Sequence, residues 1–174
     1  MIAPKSISEK CQTCFRFLES EYGMKIVSSK IKNWGLELRY KNNFVGVTLK
    51  FELREFYLFV KISKLTNGDF PKLSGEIRSN TILNTFDLDD VVTICNKKLL
   101  LPPHKIDQPL NEIYLEHLIK NQANNLKNVA QKMLEGDFSK YYYSLNKIVK
   151  ERAEVAAVKK WQSFTPSISQ KVVL

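Results

Sequence analysis

Two cysteines in a C-x-x-C spacing, Cys11 and Cys14, are the first residues of the sequence whose types could bind a metal or exchange a disulfide. A structural zinc site takes four ligands, and the remaining candidates, Cys95, His104 and His117, form no second closely spaced pair. A redox C-x-x-C opens a helix that follows a strand, whereas these two cysteines fall inside the first predicted helix. We therefore interpret them as small apolar residues of a buried helical face, and we expect no metal and no cofactor.

Paired carboxylates or an oriented histidine would be needed for acid–base catalysis. Asp87, Asp89 and Asp90 are explained instead as the N-cap and first turn of a short helix, where the helix dipole favours acidic side chains. His117 falls on the apolar face of a long predicted helix, and His104 falls in a proline-rich linker. A pairing of Cys95 with either of them stays open, although no local motif supports it. The six glycines form no phosphate-binding loop, so the sequence predicts a non-enzymatic protein without catalytic residues.

The strongest pattern in the chain is the alternation of apolar and polar residues from Trp34 to Leu65. Alternation with a period of two is typical of strands that bury one face and leave the other free. The free face is the candidate binding surface, and its residues are basic or aromatic: Arg39, Lys41, Lys50, Tyr57, Phe59 and Lys61. Two simpler explanations stay open, namely that this face is only solvated or that the C-terminal helices cover it.

The first half of the chain predicts one helix followed by an antiparallel sheet. The helix spans Ser6 to Tyr22, and Gly23 is placed to end it in a left-handed conformation. Short turns then join four strands, which makes neighbouring strands antiparallel. In the first strand Ile26 and Val27 are the expected core residues. The four predicted strands are Met24–Ile31, Trp34–Lys41, Phe44–Glu52 and Phe56–Lys64.

The second half predicts helices. Residues 66–75 have the composition of a loop, residues 77–86 are ambiguous with an extended conformation left open, and a short helix follows over 87–96. Two long helices span 109–134, with a weak polar middle at 121–125, and 138–164, with Gly136 ending the first and Asp137 capping the second. The expected fold class is α+β: an N-terminal helix, a four-stranded antiparallel meander, a short helix and two long C-terminal helices. A single domain over 1–165 precedes a flexible tail over 166–174.

Composition and charge limit the class of protein. The 174 residues are 44% hydrophobic and 26% charged, as in a globular domain. No apolar run reaches the roughly 20 residues of a membrane-spanning helix, and the N-terminus lacks the apolar segment of a secretory signal, so we expect a cytoplasmic protein without membrane contact. The net charge is +9, and residues 1–64 hold 12 basic against 6 acidic residues. This excess favours acidic partners or serves only solubility.

The type of basic residue also matters. Lysine outnumbers arginine 22 to 5. Arginine is the preferred residue for reading phosphates and base edges, because its planar fork forms bidentate hydrogen bonds. The composition therefore disfavours a sequence-specific nucleic-acid reader.

Two short motifs resemble those of a group of small bacterial proteins, many of which are immunity-type partners of toxins. The first is FRFL at 15–18 followed by EYGM at 21–24, and the second is MLEGDFS at 133–139 followed by Leu145 and Arg152. The second is similar to the junction between two C-terminal helices in that group. The resemblance follows the order of elements along most of the chain. It implies a module that covers a partner protein, and it implies no catalytic residue.

The basic charge constrains such a toxin partner. Inhibitors of nucleases are usually acidic because they imitate the substrate, whereas this chain carries +9. The partner would therefore present an acidic surface, or the binding face would be locally acidic around Asp87–Asp90.

Two hypotheses from different classes follow. The first is a non-enzymatic domain that binds another protein, with toxin neutralisation as its specific role. The alternative is a nucleic-acid-binding module, in which Lys50 and Lys61 with Tyr57 and Phe59 form a stacking platform for a single strand. The two differ in whether these aromatic rings are exposed beside the lysines. The sequence does not give the oligomeric state.

Overall fold

The computed structural model describes residues 3–72, 77, 81–95 and 111–164, with side chains up to residue 157. An N-terminal helical segment, an antiparallel sheet and C-terminal helices follow one another, which confirms the α+β class. The predicted linker around His104 and the predicted tail over 166–174 lie outside the described residues. The elements are α1 (Pro4–Cys14), α2 (Phe17–Ser20), β1 (Lys25–Lys32), β2 (Gly35–Lys41), β3 (Val45–Glu52), β4 (Tyr57–Lys64), β5 (Thr85–Asp87), α3 (Leu88–Ile94), α4 (Glu112–Val129), α5 (Gln131–Leu134) and α6 (Ser139–Phe164).

The N-terminal helix starts earlier than expected and is divided in two. α1 begins at Pro4, which fits the first turn because that turn needs no N–H from it, and α2 follows after a break of two residues. One buried face nevertheless continues through both segments, because Cys11, Phe15 and Leu18 are all fully buried. Gly23 has φ +62°, so the left-handed conformation predicted for it is confirmed.

The sheet is antiparallel throughout, with the strands in the order β1-β2-β3-β4-β5. The four-stranded meander is confirmed, and a fifth strand extends it where the sequence was ambiguous. β5 has three residues and pairs with β4 through Ile62 and Phe86. A strand this short shows almost no alternation, so its pairing with β4 decides its conformation.

The first strand corrects one expectation. Val27 was expected in the core, but it is 48% exposed, and Ile26 is only half-buried. The pairing of β1 with β2 shifts register between Ile26 and Ser28. Val27 is therefore the extra residue of a β-bulge, and a bulge turns its side chain out of the regular alternation.

The core lies between one face of the sheet, which we call the inner face, and the helices. The inner-face residues expected from the alternation are all 3% exposed or less, which confirms their burial: Leu36, Leu38, Val45, Val47, Leu49, Leu58, Val60 and Ile62. They belong to one cluster that also holds Phe15 of the N-terminal segment, Leu118 of α4 and Phe138 before α6. The helical layer therefore covers the inner face.

The polar middle of α4 is not the weak point that its composition indicated. α4 is continuous over 18 residues, and Gln122 and Asn125 are buried at 0% and 7% exposed. At the next junction Gly136 has φ +95°, and Oδ1 of Asp137 accepts hydrogen bonds from the backbone N–H (2.9 Å) and hydroxyl (2.6 Å) of Ser139. The helix end at Gly136 and the cap at Asp137 are thus confirmed.

Candidate functional site

The face of β2–β4 that points away from the helical layer, here called the outer face, carries all six predicted binding residues. Cross-strand pairing arranges them in rows that run across the strands. Arg39 lies beside Thr48 and Thr48 beside Lys61, while Lys50 lies beside Phe59 in the next row. All these side chains are partly exposed. The sheet therefore brings the predicted residues together on one surface.

Each cation of this surface has a carboxylate near it. Arg39 Nε lies 2.9 Å from Glu37 Oε1, an ion pair without the alignment of a hydrogen bond. Lys50 pairs with Glu52. The remaining two pairs join Lys61 Nζ to Asp87 Oδ1 (3.3 Å) and Lys41 Nζ to Asp69 Oδ1 (3.9 Å).

The outer face is therefore close to neutral, although the sequence indicates a basic one. Glu37 and Glu52 follow the same alternation as Arg39 and Lys50, so the sequence already placed them on this face. Asp69 and Asp87 come from outside β2–β4, and only the folded chain brings them there. Exposed ion pairs contribute little to stability, but they cancel the field that would attract a polyanion.

The outer face is concave and forms an open groove of about 440 Å³, within the size range of ligand pockets. Phe70 forms part of its wall. The ring of Phe70 packs onto Gly46, where an added Cβ would lie 2.3 Å from ring atom Cε1. The Arg39 guanidinium lies 5.4 Å from the centre of the same ring. The lining residues are Glu37, Arg39, Thr48, Lys50, Lys61, Ser63, Phe70, Pro71 and Thr85.

The two central aromatic residues, Tyr57 and Phe59, are half-buried and lie on the face opposite the helices. The last helices therefore do not cover the outer face. The two rings meet edge to face, with centroids 4.9 Å apart and planes at 70°. Two rings in this arrangement do not present parallel faces to stacked bases.

The hydroxyl of Tyr57 is held at the edge of the sheet. It donates to Asp89 Oδ2 (2.8 Å) and accepts from Gln122 Nε2 (2.9 Å). The same amide nitrogen lies 3.3 Å from the main-chain carbonyl oxygen of Leu58. Burial raises the pKa of Tyr57 above its ordinary value, and the negative charge of Asp89 raises it further. This phenol stays protonated and acts as a structural anchor.

The three aspartates interpreted as helix-capping residues are largely used for other contacts. Asp87 occupies the N-cap position of α3, but its side chain makes no cap hydrogen bond and pairs with Lys61 instead. Asp89 binds Tyr57. Asp90 is 1% exposed and lies 2.6 Å from Nη2 of Arg152 on α6. The predicted positions are thus confirmed, with Asp87 at the N-cap and Asp89 and Asp90 in the first turn. Their side chains do not cap the helix by hydrogen bonds but tether its start to three different places.

The cysteines show no reactive environment. Burial raises the pKa of the Cys11 thiol to about 12 and also raises that of Cys14, so both favour the protonated form. Within the described ranges, no three His, Cys, Asp or Glu side chains are grouped as a metal would require. His117 is exposed rather than on the apolar face of α4, which corrects the sequence interpretation.

Comparison with known protein families, with curated proteins and with solved structures finds no match for this chain. The resemblance to toxin-immunity proteins therefore depends on the two sequence motifs and the order of elements. In the part of the chain that is described, no helix combines the length and the apolar character needed to cross a membrane.

Proposed function

We propose that this chain is a non-enzymatic, cytoplasmic protein-binding domain that contacts its partner through the outer face of β2–β4. The single observation that carries the proposal is the pairing of each outer-face cation with a carboxylate. A surface of alternating charges matches another protein surface of mixed charge, and such complementarity gives specificity and register.

The concave shape supports the same conclusion. The outer face is partly exposed, and its aromatic side chains lie among the charges, with Lys50 Nζ 5.0 Å from the centre of the Trp34 ring. Aromatic residues and arginine are enriched at protein interfaces, where they supply most of the binding energy. Trp34, Phe70 and Arg39 are the expected anchors of the contact.

The nucleic-acid alternative is less well supported. Non-specific affinity for a nucleic acid comes from lysines and arginines that neutralise phosphates and release counterions. Here a phosphate would first have to displace a carboxylate from each of Arg39, Lys50 and Lys61. A titration with single-stranded oligonucleotides at several salt concentrations separates the two functions: a steep loss of binding with salt, abolished by Lys50→Glu with Lys61→Glu, would favour the alternative.

Toxin neutralisation is the specific form of this proposal, and it is supported by the resemblance of the two motifs. An immunity protein acts by covering a partner surface, so it needs a binding face and no catalytic group. A toxic gene next to the gene of this chain would provide the test. Co-expression of the chain should then restore growth, and a chain carrying Arg39→Glu should restore it less.

The partner can be sought directly by crosslinking in the cells that produce the protein. A photoreactive benzoylphenylalanine in place of Thr48 lies in the centre of the outer face. We expect a discrete crosslinked product with another protein. The control is the same group in place of Gln12, an exposed residue of α1 on the opposite side of the sheet. Identical products from both positions, or none from Thr48, would argue against the outer face as the binding surface.

A further inference from the structure

The free side of β1 is the strongest feature that the proposed function leaves unused. In the described residues, β1 is the first strand of the sheet and pairs with β2 alone. Every second residue of an antiparallel strand directs its main-chain N–H and C=O away from the neighbouring strand. β1 therefore presents a row of main-chain donors and acceptors that can pair with another extended segment.

Three exposed lysines, Lys25, Lys30 and Lys32, lie along this edge, on the same side of the sheet as the outer face of β2–β4. Within the described ranges, none of their ammonium groups has a carboxylate oxygen within 4.0 Å. Glu37 is the cross-strand neighbour of Lys30, but it pairs with Arg39. The cations of β2–β4 are compensated, so the uncompensated positive charge on this side of the sheet is concentrated on β1.

The inner side of the same strand carries Ile26, Ser29 and Ile31 and is incompletely covered. Ile31 lies beside Leu36 of β2, yet its side chain is 51% exposed, and Ile26 beside Tyr40 is only half-buried. The helical layer thus stops short of the edge. An added strand would bury these isoleucines if it placed apolar side chains on the inner face.

We propose that the free edge of β1 binds an extended acidic segment of a partner protein as a sixth strand of the sheet. Its Asp or Glu side chains face Lys25, Lys30 and Lys32, and its alternate apolar side chains cover Ile26 and Ile31. Main-chain hydrogen bonds supply affinity in this mode of recognition, and the alternating side chains fix the register.

The lysines also decide between this occupant and a second copy of the chain. Two β1 strands paired edge to edge would bring the lysines of both copies onto one face, where like charges oppose each other. An acidic segment converts the same residues into attractive cross-strand pairs. The proposal concerns a different surface from the outer face of β2–β4, so the Thr48 crosslink and the experiment below can fail independently.

The test uses a fluorescent peptide as long as β1, eight residues, that alternates Glu and Val. Its control has the same composition with the glutamates grouped at one end. Fluorescence anisotropy with the full chain should show binding at least about tenfold tighter for the alternating peptide. The variant Lys30→Glu with Lys32→Glu should weaken this binding at least about tenfold, because two attractive pairs become repulsive. Far-UV circular dichroism shows that the variant is folded.

A matched variant separates the edge from net charge. Lys5→Glu with Lys72→Glu makes the same change in charge at exposed positions off the sheet and should alter the affinity less than about twofold. Hydrogen exchange should slow in β1 when the alternating peptide binds. The proposal is overturned if neither peptide binds at about 1 mM, if both bind equally, or if both variants weaken binding alike. A dimer in sedimentation that the alternating peptide does not dissociate would also overturn it, by assigning the edge to a second copy.

Discussion

The guanidinium of Arg152, on the exposed side of α6, lies 2.6 Å from Oδ1 of Asp90, a carboxylate that is 1% exposed at the start of α3. Burial raises the pKa of Asp90 above its ordinary value, and Arg152 opposes that rise. The pair joins the two helices that pack together beyond the edge of the sheet. Since the other carboxylate oxygen of Asp90 has no hydrogen-bond partner in the described residues, Arg152 is the main compensation for this charge.

Replacing Arg152 by Gln should lower the free energy of unfolding by about 1–2 kcal/mol at neutral pH. This loss is smaller than the cost of breaking a fully buried ion pair, because the Arg152 side chain is exposed. A raised pKa means that the folded chain binds the Asp90 proton more tightly than the unfolded chain. Ionised Asp90 therefore costs stability above its ordinary pKa. The loss caused by Arg152→Gln should shrink as the pH falls through the raised pKa of Asp90, and it should be gone before the pH reaches the ordinary carboxyl range.

Urea unfolding of this variant across pH gives the measurement. Lys147→Gln is the control, because Lys147 forms an exposed pair with Glu151 on the same helix, and it should cost less than about 0.5 kcal/mol. A loss that is constant with pH would contradict the assigned role of Asp90.

Replacing Gly46 by Ala should destabilise the chain by about 1–3 kcal/mol, because the new methyl group would overlap the ring of Phe70. The ring is the closest neighbour, because the next side chain, Leu65, has its Cδ2 atom 3.0 Å from the same position. Adding Phe70→Ala should therefore make the cost of Gly46→Ala much smaller than it is alone, which a double-mutant cycle by thermal unfolding measures. Additive costs would show that the glycine is needed for another reason.

Replacing Gln122 by Ala should cost about 1–3 kcal/mol, because its amide is fully buried and bonds to Tyr57 and to the carbonyl of Leu58. The phenol of Tyr57 would also lose a donor that lowers its pKa, so its titration should move further upward. Chemical denaturation and ultraviolet titration measure the two effects. Asn124→Ala, at an exposed position of the same helix, should change neither.

Cys11 should be the slowest of the described cysteines to react with iodoacetamide. Its pKa of about 12 leaves very little thiolate near neutral pH, and its side chain is fully buried. Mass spectrometry of peptides after timed labelling should show modification of Cys14 and Cys95 well before Cys11. In denaturant the three rates should become similar. Rapid labelling of Cys11 in the folded chain would contradict its position in the core.

The sequence predicts those parts of the fold that local rules decide. Alternation of period two assigns Leu36, Leu38 and Val60 to the inner face because neighbouring side chains of a strand must point to opposite sides. Gly136 and Asp137 carry their own signals for ending and starting a helix. These elements depend on residues that are close in the chain.

The features that the sequence did not give depend on contacts between distant residues. From the sequence Gln122 is expected to be solvated, but in the fold α4 lies beside β4 and the Gln122 amide bonds to the carbonyl of Leu58. Asp87 looks like a cap until β5 brings it to Lys61. The outer-face residues were assigned to one surface by alternation, but their neutral charge required Asp69 and Asp87 from outside β2–β4. No local pattern contains such pairings.

The two edges of the sheet differ in a way that limits the size of any assembly formed by strand pairing. The carbonyl of Leu58 on β4 is already bonded to Gln122, and the strand beyond β4 has only three residues. A fibre in which the sheets of successive copies pair edge to edge needs two long unpaired edges on every copy, one for each neighbour. In the described part of the chain only β1 is a long unpaired edge. Edge-to-edge pairing can therefore add one further strand or copy and no more.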